Sequence, residues 1–227
     1  MSKTVKSAAK YNLYKKYGGN SGRANNIWLV YSEKMHRDFA LNSDLRLFHW
    51  IYWLETNAYV RSFEYFDKKT SAEPDGELIT ADGCVRQFWI AKKIPPKIHA
   101  DDAEQGEIES DSIIVTPDEI ISKAPEAMRI FGALSFCAGV RDQELAQIEN
   151  RLILVERQMI SGTIRQLLEA FEGIEESLVA GVIVRHMIRN LIDVDFTRDF
   201  FGRQTRWHLS GGPPSEYQTQ SRRSSPK

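Results

Sequence analysis

An arginine and a histidine sit inside a segment that is otherwise apolar on nearly every face, S-D-L-R-L-F-H-W-I-Y-W-L-E, Ser43 to Glu55. Arg46, His49 and Trp53 are spaced i, i+3 and i+7, which places them together on one side of a helix. Two uses suit such a face. A cation lining a cleft contacts a phosphate; alternatively Arg46 pairs with a nearby acid and His49 is a hydrogen-bonded core residue. A second set of basic groups lies in the C-terminal third: Arg185, His186 and Arg189 on a helix starting at Ser177, then Arg198, Arg203 and Arg206 in D-V-D-F-T-R-D-F-F-G-R-Q-T-R-W-H-L. Guanidinium groups there would contact phosphates or guanine edges of duplex DNA. The competing use is protein docking, since Glu175, Glu176, Asp193 and Asp195 weaken the positive field.

The carboxylates Asp44, Glu55, Glu73, Glu77 and Asp82 are sufficient in number for a metal site, yet their positions read as caps and loop charges. Asp101 to Asp111 holds six carboxylates in eleven residues, without the glycine-spaced pattern of a calcium loop, and reads as a solvated linker. G-x-x-x-x-G-K-[ST], G-x-S-x-G and H-E-x-x-H are absent, which removes P-loop ATPase, esterase and zincin chemistry. Cys84 and Cys137 are the only cysteines and have no ligand spacing, so neither structural zinc nor a disulfide framework is expected.

The elements that position these groups follow from pattern. Asn26 to Tyr31 and Arg37 to Leu41 are β-prone. Ser43 is a natural N-cap for the aromatic helix. A-Y-V-R-S-F-E-Y-F reads as a strand, and E-L-I-T-A-D-G-C-V-R-Q-F-W-I-A as a hairpin turning at Asp82-Gly83. S-I-I-V gives a short strand, then Thr116 caps a helix with Pro117 at its first position and Glu119 in its first turn. Pro125 is read as opening another helix, Ala127 to Gly139. Two amphipathic helices broken near Ser161-Gly162 follow, then the helix from Ser177, and finally a hairpin turning at Gly202-Arg203, a succession that suits a winged helix-turn-helix.

Charge is distributed unevenly. Residues 1 to 70 hold 12 Lys/Arg against 6 Asp/Glu, residues 71 to 126 hold 5 against 13, and residues 177 to 227 hold 8 against 4. Basic ends around an acidic middle suit contacts with a polyanion. The opening M-S-K-T-V-K lacks the apolar region of a signal peptide and no apolar run is long enough to span a bilayer, so the expectation is a soluble cytoplasmic protein with no membrane partner.

The order of these parts resembles the TnsA-like endonuclease subunits of heteromeric transposases. The resemblance rests on the basic arm, S-x-L opening a long aromatic helix that closes L-E-T-N-A-Y-V-R-S-F, Pro74-Asp75, Ile90-Ala91-Lys92, and Val115-Thr116-Pro117-Asp118-Glu119-Ile120. It runs from about residue 26 to 209. It implies a restriction-endonuclease-like core in which two or three carboxylates hold Mg²⁺ against the scissile phosphate and a lysine positions water. Asp75 and Lys92 fall on two of those positions, as remnants of a catalytic set. Arg46 stands where the first acid belongs, directly after S-x-L, and Ile90 stands where Glu or Gln belongs.

The expected protein is therefore α/β, with a restriction-endonuclease-like N-terminal domain followed by a small winged helix-turn-helix domain. Its divisions are a basic flexible arm (1–25), the nuclease-like domain (26–123), the winged-helix domain (124–209) and a disordered tail (210–227). The expected function is a DNA-binding, partner-dependent component of a mobile-element transposition system without cleavage activity. Arg46, Arg185, Arg189, Arg198, Arg203 and Arg206 are its DNA-binding candidates, with no metal and no cofactor. The resemblance implies double-stranded DNA, a DDE transposase and an AAA+ ATPase as partners. Two alternatives stand beside it: an active Mg²⁺-dependent endonuclease cutting transposon ends, and a winged-helix regulator or scaffold outside transposition.

Overall fold

A computed structural model describes residues 27–66, 73–90 and 112–210. The arm, Lys92, the acidic run and residues 211–227 of the tail lie outside them. Strands β1 (Trp28–Ser32) and β2 (Arg37–Leu41) form an antiparallel hairpin that pairs Trp28 with Leu41 and Val30 with Phe39. Helix α1 (Asp44–His49) starts where the Ser43 side chain accepts the Arg46 backbone N–H at 3.2 Å, and it continues without a break into a π-helical segment, Trp50–Glu55. Strands β3 (Val60–Tyr65), β4 (Gly76–Thr80) and β5 (Val85–Ile90) follow as an antiparallel meander, with β6 (Ile113–Val115) parallel to β5. The β4–β5 turn lies at Asp82-Gly83, where Gly83 has φ of 88°, the left-handed conformation glycine adopts without strain.

Helix α2 (Pro117–Gly139) opens on a full capping box between Thr116 and Glu119, satisfying N-terminal N–H groups reciprocally. It is one continuous helix, which corrects the reading of two. Pro125 lies exposed within it, and the buried stripe Ile120, Ala127, Ile130, Ala133, Leu134 and Cys137 runs past it unbroken. The expected division at residues 123/124 thus falls inside a single rod.

Helices α3 (Ala146–Met159) and α4 (Ile164–Glu169) are separated by the short strand β7 (Ser161–Thr163), and α5 (Glu176–Ile188) follows. Strands β8 (Ile192–Val194) and β9 (Arg206–Leu209) pair antiparallel, and β7 pairs with the other edge of β9. Residues 195–205 form a long connection between β8 and β9, with Gly202-Arg203, the expected turn of this hairpin, near its end. The described residues are thus mixed α/β, with three sheets. Among the described residues no helix is long and apolar enough to cross a membrane.

Two cores meet on α5. Val184 and Ile188 belong to the first, with Leu47, Trp50, Phe88 and Ile130; Val179, Val182 and Ile183 belong to the second, with Leu152, Leu167 and Trp207. Gly181 lets α5 approach the end of α2, since a Cβ there would lie 2.4 Å from a Val140 methyl.

Candidate functional site

Helix α1 presents Arg46 and His49 to the start of β4 and the end of β5. Asp75 immediately precedes β4 and is held by its backbone on both sides: its N–H donates to Phe88 O at 2.8 Å, and its carbonyl accepts from Phe66 N–H at 2.9 Å. The next residue must be small, because a Cβ on Gly76 would lie 2.0 Å from Glu64 O and 2.5 Å from the Phe88 ring. Asp75 is 4% exposed. One carboxylate oxygen pairs with Arg46 Nη2 at 3.0 Å, and the other accepts the Ile90 backbone N–H at 2.8 Å. Arg46 and Ile90, which lie 29 and 15 residues from Asp75 in the chain, therefore converge on its carboxylate.

His49 is buried against this pair. Its Nδ1 lies 3.0 Å from the Tyr65 hydroxyl, and its ring is 4.8 Å from that of Phe88. Burial pushes its pKa down to about 3, the Arg46 charge acts in the same direction, and the Asp75 charge opposes both; His49 is neutral at physiological pH. Tyr65 also lies beneath the Arg46 guanidinium, 5.5 Å from ring centroid to guanidinium carbon, and burial raises its hydroxyl pKa. Position 46 thus contributes both a salt bridge and a cation–π contact. Sequence reasoning missed Tyr65, whose only signal was the alternation of a strand.

Mg²⁺ takes hard oxygen ligands, usually carboxylates with several waters. The donor set here does not fit it. Asp75 has both oxygens engaged, the neighbouring position carries a fixed positive charge, and Ile90 offers only a backbone N–H. Among the described residues no group of three or more His, Cys, Asp or Glu is placed to hold a metal ion. Lys92 lies outside the described residues.

Trp53 does not share the Arg46–His49 face. From Trp50 the helix widens to i→i+5 bonding, so seven residues no longer return to the same side, and Trp53 lines a groove with Lys123, Ile130 and Met187. Asp44 accepts the Trp28 indole N–H at 2.8 Å, and Asp82 accepts hydrogen bonds from Thr80 and Cys84 within its turn. Glu55 is fully buried, accepting from Ser32 Oγ at 2.6 Å and from the Glu33 N–H at 2.7 Å.

The C-terminal arginines divide into two groups. Nine of the thirteen residues of α5 are buried, so most of this helix packs inside the protein. Arg185 is 8% exposed, 3.4 Å from both Glu33 and Glu149, and donates to Val140 O at 3.2 Å; its side chain is engaged inside the protein. His186 is buried against Glu156 at 2.9 Å. Arg189, at the end of α5, is 44% exposed while paired with Glu33 at 3.0 Å. Arg198 and Arg206 are exposed, and Arg203 is exposed while paired with Glu176.

No protein-family model matches this sequence, and no curated protein matches it.

Proposed function

We propose that the chain is a DNA-binding, partner-dependent component of a mobile-element transposition system, similar to the TnsA-like endonuclease subunits but without cleavage chemistry. The observation that carries the reading is the meeting of Arg46, Asp75 and Ile90 at one point. The resemblance assigns the acids of a metal centre to those three positions. An α1 helix followed by an antiparallel meander and a parallel fourth strand supports a restriction-endonuclease-like core. The order α3, β7, α4, α5, β8, β9, with β9 between the other two strands, supports a winged helix-turn-helix. In this reading Arg46 supplies the charge that a divalent ion would bring to Asp75. Among the described residues the pocket holds no metal-binding group of carboxylates to activate water against a phosphodiester, and the protein holds DNA for a DDE transposase and an AAA+ ATPase partner.

Because α5 is enclosed, DNA contact falls to the β8–β9 connection and β9. Replacing Arg198, Arg203 and Arg206 together by alanine should weaken binding to a labelled duplex, measured by fluorescence anisotropy. The slope of log K against log salt should fall by about 1 for each phosphate that is no longer neutralised. Unchanged affinity and slope in this variant would overturn the assignment of DNA binding to this region.

A further inference from the structure

A pocket of about 330 Å³ opens at the far end of β3 from Tyr65, between the β1–β2 turn and the end of α5. Its walls carry Glu33, Lys34, His36, Arg61, Ile188 and Arg189. The single carboxylate is already neutralised: Glu33 contacts Arg189 at 3.0 Å and Arg185 at 3.4 Å. Positive charge is left in excess. Arg61 and His36 are exposed and form no hydrogen bond or ion pair among the described residues.

Three local features aim these groups at the pocket. Val60 pairs with Thr80 and Ser62 with Ile79, so Arg61 is the extra residue of a β-bulge, a device that redirects a side chain. His36 adopts φ of 50°, the left-handed region that non-glycine residues seldom enter. Lys34 Nζ donates to the carbonyls of Leu54 at 2.7 Å and Asn57 at 2.5 Å at the end of the π-helical segment. Its ammonium is thereby fixed in place with a donor to spare.

We propose that this pocket binds a phosphate group, held by Arg61 and His36 with Lys34 and Arg189 behind them. Compact, cation-lined and open on one side, it suits the tetrahedral charge of a phosphate, and guanidinium groups match its oxygens in pairs. The phosphate chemistry stands on the pocket; its assignment to a nucleic-acid backbone rests on the DNA-binding reading above.

The test uses the full chain in two arms. In the first, inorganic pyrophosphate is titrated while backbone amide resonances are followed by NMR, in the parent and in Arg61→Glu; Arg61 is exposed and unpaired, so the fold tolerates the change. Shifts confined to residues 33–36 and 60–62, lost in Arg61→Glu, are the expected result. Absence of shifts there, or shifts that persist in the variant, would overturn the site. In the second arm, Arg61→Glu should lower affinity for a labelled duplex by about tenfold or more and reduce the salt slope by about 1. Loss of pyrophosphate binding with duplex affinity unchanged would reject the backbone as the source and leave a small phosphorylated ligand. Pyrophosphate binding by a protein that binds no duplex would sink the DNA-binding reading and keep the pocket.

Discussion

Arg46 and Asp75 each depend on the other for burial. Removing one partner of a buried ion pair strands the second charge, at a cost of roughly 3 kcal/mol. Arg46→Ala should therefore lower the urea-unfolding free energy by about that much, and adding Asp75→Asn to it should recover part of the loss, since no charge then remains unpaired. Additive effects of the two substitutions would show that the pair is not coupled. His49 makes a second prediction. Its pKa is 6.5 in the unfolded chain and about 3 when folded, so between these values the unfolded chain binds the extra proton and stability falls as pH falls. Burial raises the Glu55 carboxyl, an effect of opposite sign, so the histidine contribution is read by difference. From pH 7 to pH 5 the parent should lose about 2 kcal/mol more than His49→Gln; equal losses would contradict the assignment. The sequence offered for these residues both a cleft and a core reading, and the structure realises the salt bridge and the buried histidine. Trp53 could not be placed because nothing in W-I-Y-W-L-E announces a switch to π-helical bonding.

At the scale of elements, legibility depended on whether a signal was local. The Ser43 cap, the Thr116–Glu119 box and the Asp82-Gly83 turn are each fixed by side chains a few residues apart, and each appears where the pattern placed it. Pro125 misled because proline ordinarily ends a helix; here the buried stripe on both sides outweighs the missing hydrogen bond. Pro125→Ala should restore that bond. Against a helix-interior penalty of about 3 kcal/mol and a gain in unfolded-chain freedom of about 1 kcal/mol, the net stabilisation is roughly 2 kcal/mol. Thermal melting should show a higher midpoint, and a lower one would mean that the helix needs its proline. The enclosure of α5 was readable in principle, since L-V-A-G-V-I-V-R-H-M-I is apolar all round, the mark of a buried helix. Its arginines drew it instead toward a nucleic-acid surface. The partners that neutralise them, Glu33 and Glu149, lie 152 and 36 residues away from Arg185, a relation no local pattern carries.

At the scale of the whole molecule, α5 contributes to both cores, so the N-terminal sheet and the C-terminal helices share packing through it. Glu33 ties the first hairpin to α5 through Arg185 and Arg189, and Arg141 reaches back to Asp38 at 2.8 Å. The DNA-binding reading uses Arg198 and Arg206, which are exposed, and Arg203, which is exposed while paired with Glu176. Its central claim is that such a protein holds DNA without cutting it, because Arg46 neutralises the one carboxylate at the converging site. The most direct measurement is strand cleavage by the purified unaltered chain, with Mg²⁺ or Mn²⁺ and its transposase partners, on supercoiled plasmid carrying the element's end. The plasmid should remain supercoiled. Metal-dependent nicking that disappears in Asp75→Ala or Lys92→Ala would contradict the account and establish a working nuclease.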